Sequence, residues 1–341
     1  MESIKILFVE DADSDLEACN ATIKRYKRQK KRQIEFIVAK SRDEALELLN
    51  SKFDGAIIDI KLEKDRTGTG GNDVISEIHR TCRIPLVVLT GTPENASREC
   101  NLLGCYKKGE ISYDEIFDRF FDVYNTGLTK IMGGRGTIEK ELTRVFFHNL
   151  LHPATQDAWI VHGRADSLKT EKALLRFTLN HLMQILDDDE EECFPEEVFI
   201  YPPLQKGLKT GSIVKEKQGE KLYIVLTPPC DLVVRESGQM KTDKILLVEI
   251  DEETKVCGHI IRKIDRRDEK EEMLQKILNN RHSLFHHWLP STTFFPGGFI
   301  NFRKISTLSK KDCQKQYQKF GRKVVLNLRY HRKHGSFLIT F

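Results

Sequence analysis

Apolar and polar positions alternate in two different rhythms along this chain. Residues 1 to about 128 pass repeatedly from short apolar runs to helical patterns. Ile4-Lys5-Ile6-Leu7-Phe8-Val9 predicts a strand, and Asp15 to Lys27 an amphipathic helix. Ile34–Ala39 predicts a second strand. Ser41 then reads as an N-cap, with Glu44 three residues on completing a capping box for a helix through Leu49. The run Phe53–Asp59 predicts a third strand, followed by a Gly-rich loop from Lys61 to Gly71 and a helix to Thr81. Pro85–Leu89 predicts a fourth strand, Ala96–Leu103 a helix, Cys105–Lys107 a fifth strand and Tyr113–Tyr124 a last helix. Five βα units of this kind predict an all-parallel sheet with helices on both faces.

The rhythm changes at Gly127–Gly136. Residues 129–190 read as a helical linker, with one apolar stripe through Ile138, Leu142, Val145, Phe146 and Leu150. A second runs through Leu168, Leu174, Leu175, Leu179, Leu182 and Leu186. The acidic run Asp187–Glu192 closes this part. Residues 191–341 turn towards strands: Leu222–Leu226 and Ile245–Ile250 are apolar runs bounded by turn residues, and Ile260 with Ile261 marks a further candidate. A helix is expected at Glu269–Leu278. Gly207, Gly211, Ile213-Val214 and Gly219 suggest a small SH3-like barrel within this β-rich module. The expected architecture is therefore a doubly wound α/β domain (1–128), a helical linker (129–190) and a β-rich domain (191–341).

Composition narrows the classes. At 341 residues with 39% hydrophobic and 31% charged positions, the chain has enough apolar material for real cores. No apolar stretch approaches the ~20 residues of a membrane span, and the N-terminus shows no signal-peptide pattern. The eight cysteines form no Cys-x-x-Cys pair, so the pattern indicates neither a zinc knuckle nor a disulfide framework. A reducing, cytoplasmic setting is expected.

The candidate chemistry collects where the strands end. The first strand runs into Glu10-Asp11, the third ends at Asp59 and the fourth at Thr90. In an open parallel sheet this C-terminal edge is where ligands and reactions gather. Glu10 and Asp11 after the first strand, Asp59 after the third, Thr90 after the fourth and Lys108 after the fifth resemble the site of two-component response-regulator receiver domains, over about 125 of the 341 residues. The resemblance implies a flavodoxin-like fold and Mg²⁺ bound by Glu10, Asp11, Asp59 and the backbone carbonyl of Lys61. It implies phosphorylation of Asp59 by a sensor histidine kinase, with Thr90 and Lys108 stabilising the transferred group. Lys107 is the neighbouring alternative to Lys108, because the usual Lys-Pro is replaced by Lys107-Lys108-Gly109. Tyr106 matches the family's aromatic switch position only loosely.

Other signals carry less. The basic run Lys24–Arg32 reads as a solvated surface ahead of a nucleic-acid contact. The basic stretch Asn301–Phe341, with Tyr317, Phe320, Tyr330 and Phe337 interleaved, suits nucleic acid and equally suits packing on the acidic 187–192 run. Cys230-Asp231 after a strand is a weak pairing of nucleophile and acid; a buried structural cysteine in a turn is the simpler reading. Residues 130–341 contain no helix-turn-helix, Walker A, GGDEF-like or HD-type pattern. Three functions follow: a response regulator switching an atypical output module, a phosphoryl sink, or a C-terminal nucleic-acid-binding effector or enzyme. The partners expected are the kinase and another response regulator or effector protein, with no membrane.

Overall fold

The computed structural model describes residues 3–49, 52–62, 68, 70–97, 102–134, 136–185, 194–203, 207–233, 241–262, 264, 266–278, 280–281, 283–319 and 325–326. The chain divides into two compact units, Met1–Asp187 and Asp188–Phe341. The helices after residue 128 thus cluster with the α/β part.

The first unit begins β1 (Ser3–Val9), α1 (Asp13–Lys30), β2 (Gln33–Ala39), α2 (Arg42–Leu48), β3 (Gly55–Ile58) and α3 (Gly70–Thr81). It continues through β4 (Leu86–Thr90), a 3₁₀ turn at Pro93–Asn95, β5 (Gly104–Lys107) and α4 (Tyr113–Asn125). The predicted helix at Ala96–Leu103 lies largely outside the described residues. All strands are parallel, in the order β2-β1-β3-β4-β5. That is the flavodoxin-like winding order, which reverses direction at β1/β3.

The sequence dictates this arrangement through alternation. β3 and β4 are buried at every position, as central strands covered on both faces must be. Alternate residues serve opposite cores. Leu7, Val9, Ala56, Ile58, Leu86 and Val88 pack with Val74, Ile75 and Ile78 of α3. Ile4, Ile6, Phe8, Ile57, Val87 and Leu89 pack with Leu16, Cys19 and Tyr26 of α1 and with Ile116, Phe117, Phe120 and Phe121 of α4. Ser112 and Glu115 form a reciprocal capping box that starts α4, satisfying two backbone donors that the helix leaves open. The basic run at the end of α1 is engaged within the domain. Arg25 pairs with Asp114, Arg32 stands 3.6 Å from Asp118 and Lys30 3.5 Å from it. The Arg32 guanidinium also lies over the Phe121 ring.

The helical part comprises α5 (Leu128–Met132), α6 (Thr137–Arg144), α7 (Gln156–Ala165) and α8 (Ser167–Met183). A π-helical turn, Val145–Leu150, continues α6. Arg83, just past α3, bonds the carbonyl of Met132 and pairs with Glu139, tying these helices to the sheet domain.

The second unit contains β6 (Phe199–Ile200), β7 (Ile213–Glu216), β8 (Leu222–Val225), α9 (Pro229–Leu232), β9 (Lys244–Asp251), α10 (Glu253–Ile261) and α11 (Arg267–Leu278). β10 (His286–Leu289), β11 (Gly298–Ser309), α12 (Lys310–Gln316), β12 (Tyr317–Lys319) and β13 (Val325–Leu326) complete it. Six strands form an antiparallel sheet in the order β10-β11-β9-β8-β7-β12. The glycine-flanked strands that suggested a small barrel, β7 and β8, are neighbours within it. Ile260 and Ile261, expected as a strand, end helix α10 instead. A two-residue β-branched run carries no period of its own, so the preceding Glu253–Gly258 pattern decides.

Candidate phosphoacceptor site

Three strand ends and one turn build the site. Asp59 follows β3 and is fixed by its own backbone N–H, which donates to the Val9 carbonyl at 2.9 Å. The residue is 5% exposed overall, and its Oδ1 accepts the Lys61 N–H at 3.1 Å. Glu10 follows β1 and is 1% exposed; its Oε1 accepts the Ala12 N–H at 3.0 Å. Asp11 beside it is half-buried. Thr90 ends β4 fully buried, with its hydroxyl 3.5 Å from the Thr92 N–H. Beyond it, Gly91 opens onto free space where a Cβ would touch nothing.

Lys108 joins these pieces. Its N–H donates to the Thr90 carbonyl at 2.9 Å, which anchors the end of β5 beside β4. Gly109 then turns the chain away at φ +91°, a conformation glycine adopts without steric cost. The Lys108 ammonium lies 2.7 Å from Glu10, 2.7 Å from Asp59 and 2.7 Å from Asp15. Lys107 faces solvent, its N–H capped by the Glu110 carboxylate at 2.8 Å. Of the two lysines the sequence left open, the structure therefore brings Lys108 to Asp59.

Charge compensation explains the geometry. Burial pushes the Glu10 carboxyl above its usual range, against the lowering pull of the hydrogen bonds from Lys108 and Ala12. Burial also disfavours the Lys108 cation, but hydrogen bonds to Asp15, Asp59 and Glu10 outweigh it and hold the ammonium above its ordinary value. One cation thus serves three carboxylates. Tyr113, packed nearby on α4, is likewise pushed up, first by burial and then by the surrounding negative charge.

Asp15 is the residue that sequence reading missed. In the sequence it marks only the start of a helix. Its place in the first turn of α1, four residues after Asp11, was the available signal.

The donor set suits a hard cation. Mg²⁺ takes one or two carboxylates and keeps several waters, and Glu10 and Asp59 offer carboxylate oxygens in adjoining strand ends. Among the described residues no group of three His, Cys, Asp or Glu side chains stands at metal-binding spacing. The acids are gathered about Lys108 instead. A cation bound here would take over part of that neutralising role.

Backbone packing holds Asp59 in place from below. Gly71, in the first turn of α3, donates its N–H to the Ile60 carbonyl at 3.1 Å. A Cβ at Gly71 would stand 2.2 Å from the Asp59 carbonyl oxygen and 2.5 Å from the Ile60 Cα. Gly71→Ala is expected to push α3 off the strand end and cost about 1–3 kcal/mol, as overpacking does. Urea unfolding checks it; an unchanged midpoint would show that the helix can retreat freely.

Most of the remaining candidates belong to the second unit. Cys230, expected as a buried structural cysteine, is exposed instead on the one-turn helix α9, its thiol 3.7 Å from the Asp231 carboxylate. Asp231 also lies 3.4 Å from Lys241. His286 and His287 lie on β10, where His286 is 3.6 Å from Asp251. Lys304 of the basic C-terminal stretch pairs with Glu249 and Asp251 on neighbouring β9. Phe320, Tyr330, Phe337 and the acidic 187–192 run lie outside the described residues. Tyr106 stacks under the Arg119 guanidinium, 5.3 Å from its ring centre, and covers Gly104.

The first unit thus has a flavodoxin-like fold, with buried acids and one lysine gathered at the C-terminal edge of its parallel sheet. Comparison with solved structures finds similarity to the bacteriophytochrome response regulator AtBRR, at 22% identity over 36% of this chain and 94% of that one, TM-score 0.28. A signal receiver domain of a modulated diguanylate cyclase from Desulfovibrio desulfuricans G20 matches at 19% identity over 37% and 96%, TM-score 0.29. The response regulator PhyR from Brucella abortus matches at 20% over 37% and 51%, TM-score 0.28. No protein-family model and no curated protein sequence matches the chain. No helix among the described residues is long and apolar enough to cross a membrane.

Proposed function

We propose that Asp59 accepts a phosphoryl group from the phosphohistidine of a sensor kinase, and that this modification is how the protein receives a signal. The observation that carries the reading is the Lys108 ammonium, held at 2.7 Å from Asp59 and at the same distance from Glu10. This leaves a buried carboxylate oriented and adjacent to a fixed positive charge.

In the transfer, an Asp59 carboxylate oxygen forms a bond to phosphorus as the phosphorus–nitrogen bond of the donor breaks. The electron pair leaves with the donor imidazole, and an acyl phosphate remains. Glu10, Asp11, Asp59 and the Lys61 carbonyl would hold Mg²⁺, whose charge offsets that on the phosphoryl oxygens. Lys108 stabilises the same oxygens from the β5 side, and the Thr90 hydroxyl offers a hydrogen bond to one of them. The space above Gly91 leaves room for the added group.

Treatment with acetyl phosphate and Mg²⁺ is expected to add one phosphoryl group to the wild-type chain and none to Asp59→Asn, by intact-mass spectrometry. Beryllofluoride should bind the former alone. Folded wild-type protein that takes neither would overturn the proposal.

A further inference from the structure

Helix α8 is apolar on two opposite faces, and among the described residues only one of them is covered. Its inner face packs on α6, the π-helical turn and α7. Thr170 is buried there, and the Phe177 ring meets Trp159 and His181. Leu168, Leu175 and Leu179 stand on the other side, 69%, 61% and 50% exposed. At 3.6 residues per turn, positions seven and eleven apart fall within a narrow wedge of the helix. This is a straight leucine seam along one helix, and leucine at such exposure normally marks a surface that another body covers.

The seam has the repeat of a two-stranded coiled coil. Leu168, Leu175 and Leu182 fall at d positions, with Lys172 and Leu179 at a. Glu171 then takes g and Arg176 the following e. One flank is acidic and the other basic, with Lys169 and Lys172 on the side of Arg176. In a parallel pair related by a two-fold axis along the helix, the acidic flank of each copy faces the basic flank of its mate. Glu171 then lies opposite the mate's Arg176, the g-to-e pairing of parallel coiled coils. An antiparallel pair would set acid against acid. A lone lysine at an a position is a known device for fixing register and oligomer state at some cost in stability. The charge pattern therefore singles out a second copy of this chain as the occupant.

We propose that the α8 seam is a parallel homodimer interface, with Leu168, Leu175 and Leu179 at its core and Glu171 paired to Arg176 across it. Sedimentation equilibrium of the full-length chain is expected to show a concentration-dependent dimer. Leu175→Glu combined with Leu179→Glu, both at exposed positions, should leave the circular dichroism spectrum unchanged and weaken association at least about tenfold. Lys172→Leu should tighten it by about tenfold. Glu171→Arg and Arg176→Glu should each weaken the dimer about threefold or more, and their combination should restore it. A chain that stays monomeric at about 100 µM even as Lys172→Leu overturns the proposal, as does a dimer indifferent to the double glutamate variant. A charge swap that fails to restore association overturns the parallel pairing. In the monomeric case the seam serves a different partner.

Discussion

Replacing Lys108 with methionine is expected to cost about 2–4 kcal/mol of stability at neutral pH in the presence of a chelator. Three carboxylates share its ammonium, and removing a cation bonded to a buried acid leaves an uncompensated charge. The sign of the pH dependence follows from Glu10. Its folded pKa lies above the ordinary 4.5, chiefly because of burial. Between the unfolded and folded values the native state binds more protons than the unfolded one, so stability falls as pH rises through that window. Without Lys108 the Glu10 carboxyl loses its main lowering partner, and the window extends upward. The deficit of Lys108→Met against wild type should therefore be widest near neutrality and close as pH falls towards 4.5. Added Mg²⁺ should recover part of it, because a bound cation meets the same charge. Chemical denaturation across pH, with and without Mg²⁺, reads all three effects. A deficit independent of both pH and Mg²⁺ would show that Lys108 contributes packing alone. Asp15→Asn, which removes a half-exposed acid from the same lysine, should change stability far less.

Phe120→Ala is expected to be the most destabilising single change in the first unit, at about 3–5 kcal/mol. Its ring is 1% exposed and lies directly beneath β3. A Cβ on Gly55 would meet that ring at 2.5 Å. Gly55 and Phe120 are thus fitted to each other, and the strand that ends at Asp59 rests on the aromatic cluster of α4. The cavity left by alanine would open under the strand that ends at Asp59. Urea unfolding should show a lowered midpoint with little change in slope, and beryllofluoride binding should weaken alongside it. Wild-type stability for this variant would mean that Tyr124 or Leu103, which border the same cluster, refill the space.

These two residues also show where sequence legibility ends. Asp59, Thr90 and the Glu10-Asp11 pair were readable because each closes a continuous apolar run, and a parallel sheet sends all such ends to one edge. Lys108 was readable only as one of two adjacent lysines. Which of them turns inward depends on the Thr90 carbonyl capturing the Lys108 N–H and on Gly109 bending the chain at positive φ. Asp15 was invisible as a site residue, since a helix N-terminal acid looks the same whether it caps, faces solvent or binds a lysine from a distant strand. Gly71 had no signal beyond its place in a glycine-rich loop, although its lack of a side chain lets α3 touch the Asp59 backbone.

The later part of the chain was less readable for a different reason. In α10 the two terminal isoleucines imitated a strand, because a short apolar run has no period to separate strand from helix. The six-stranded sheet joins β7 to β12 and β9 to β11, pairings far apart in sequence that no local pattern encodes. The leucines of α8 were legible as a stripe, but their division into a covered and an uncovered face was not.

By itself the sequence determined the five parallel strands, the edge where the carboxylates gather and Asp59 as the candidate phosphoacceptor, because strand period and strand polarity are local properties. The tertiary structure alone decided which lysine neutralises that edge, which extra acid shares it and which glycine lets a helix approach. Each of those is a contact between segments far apart in the chain, set by packing and charge compensation.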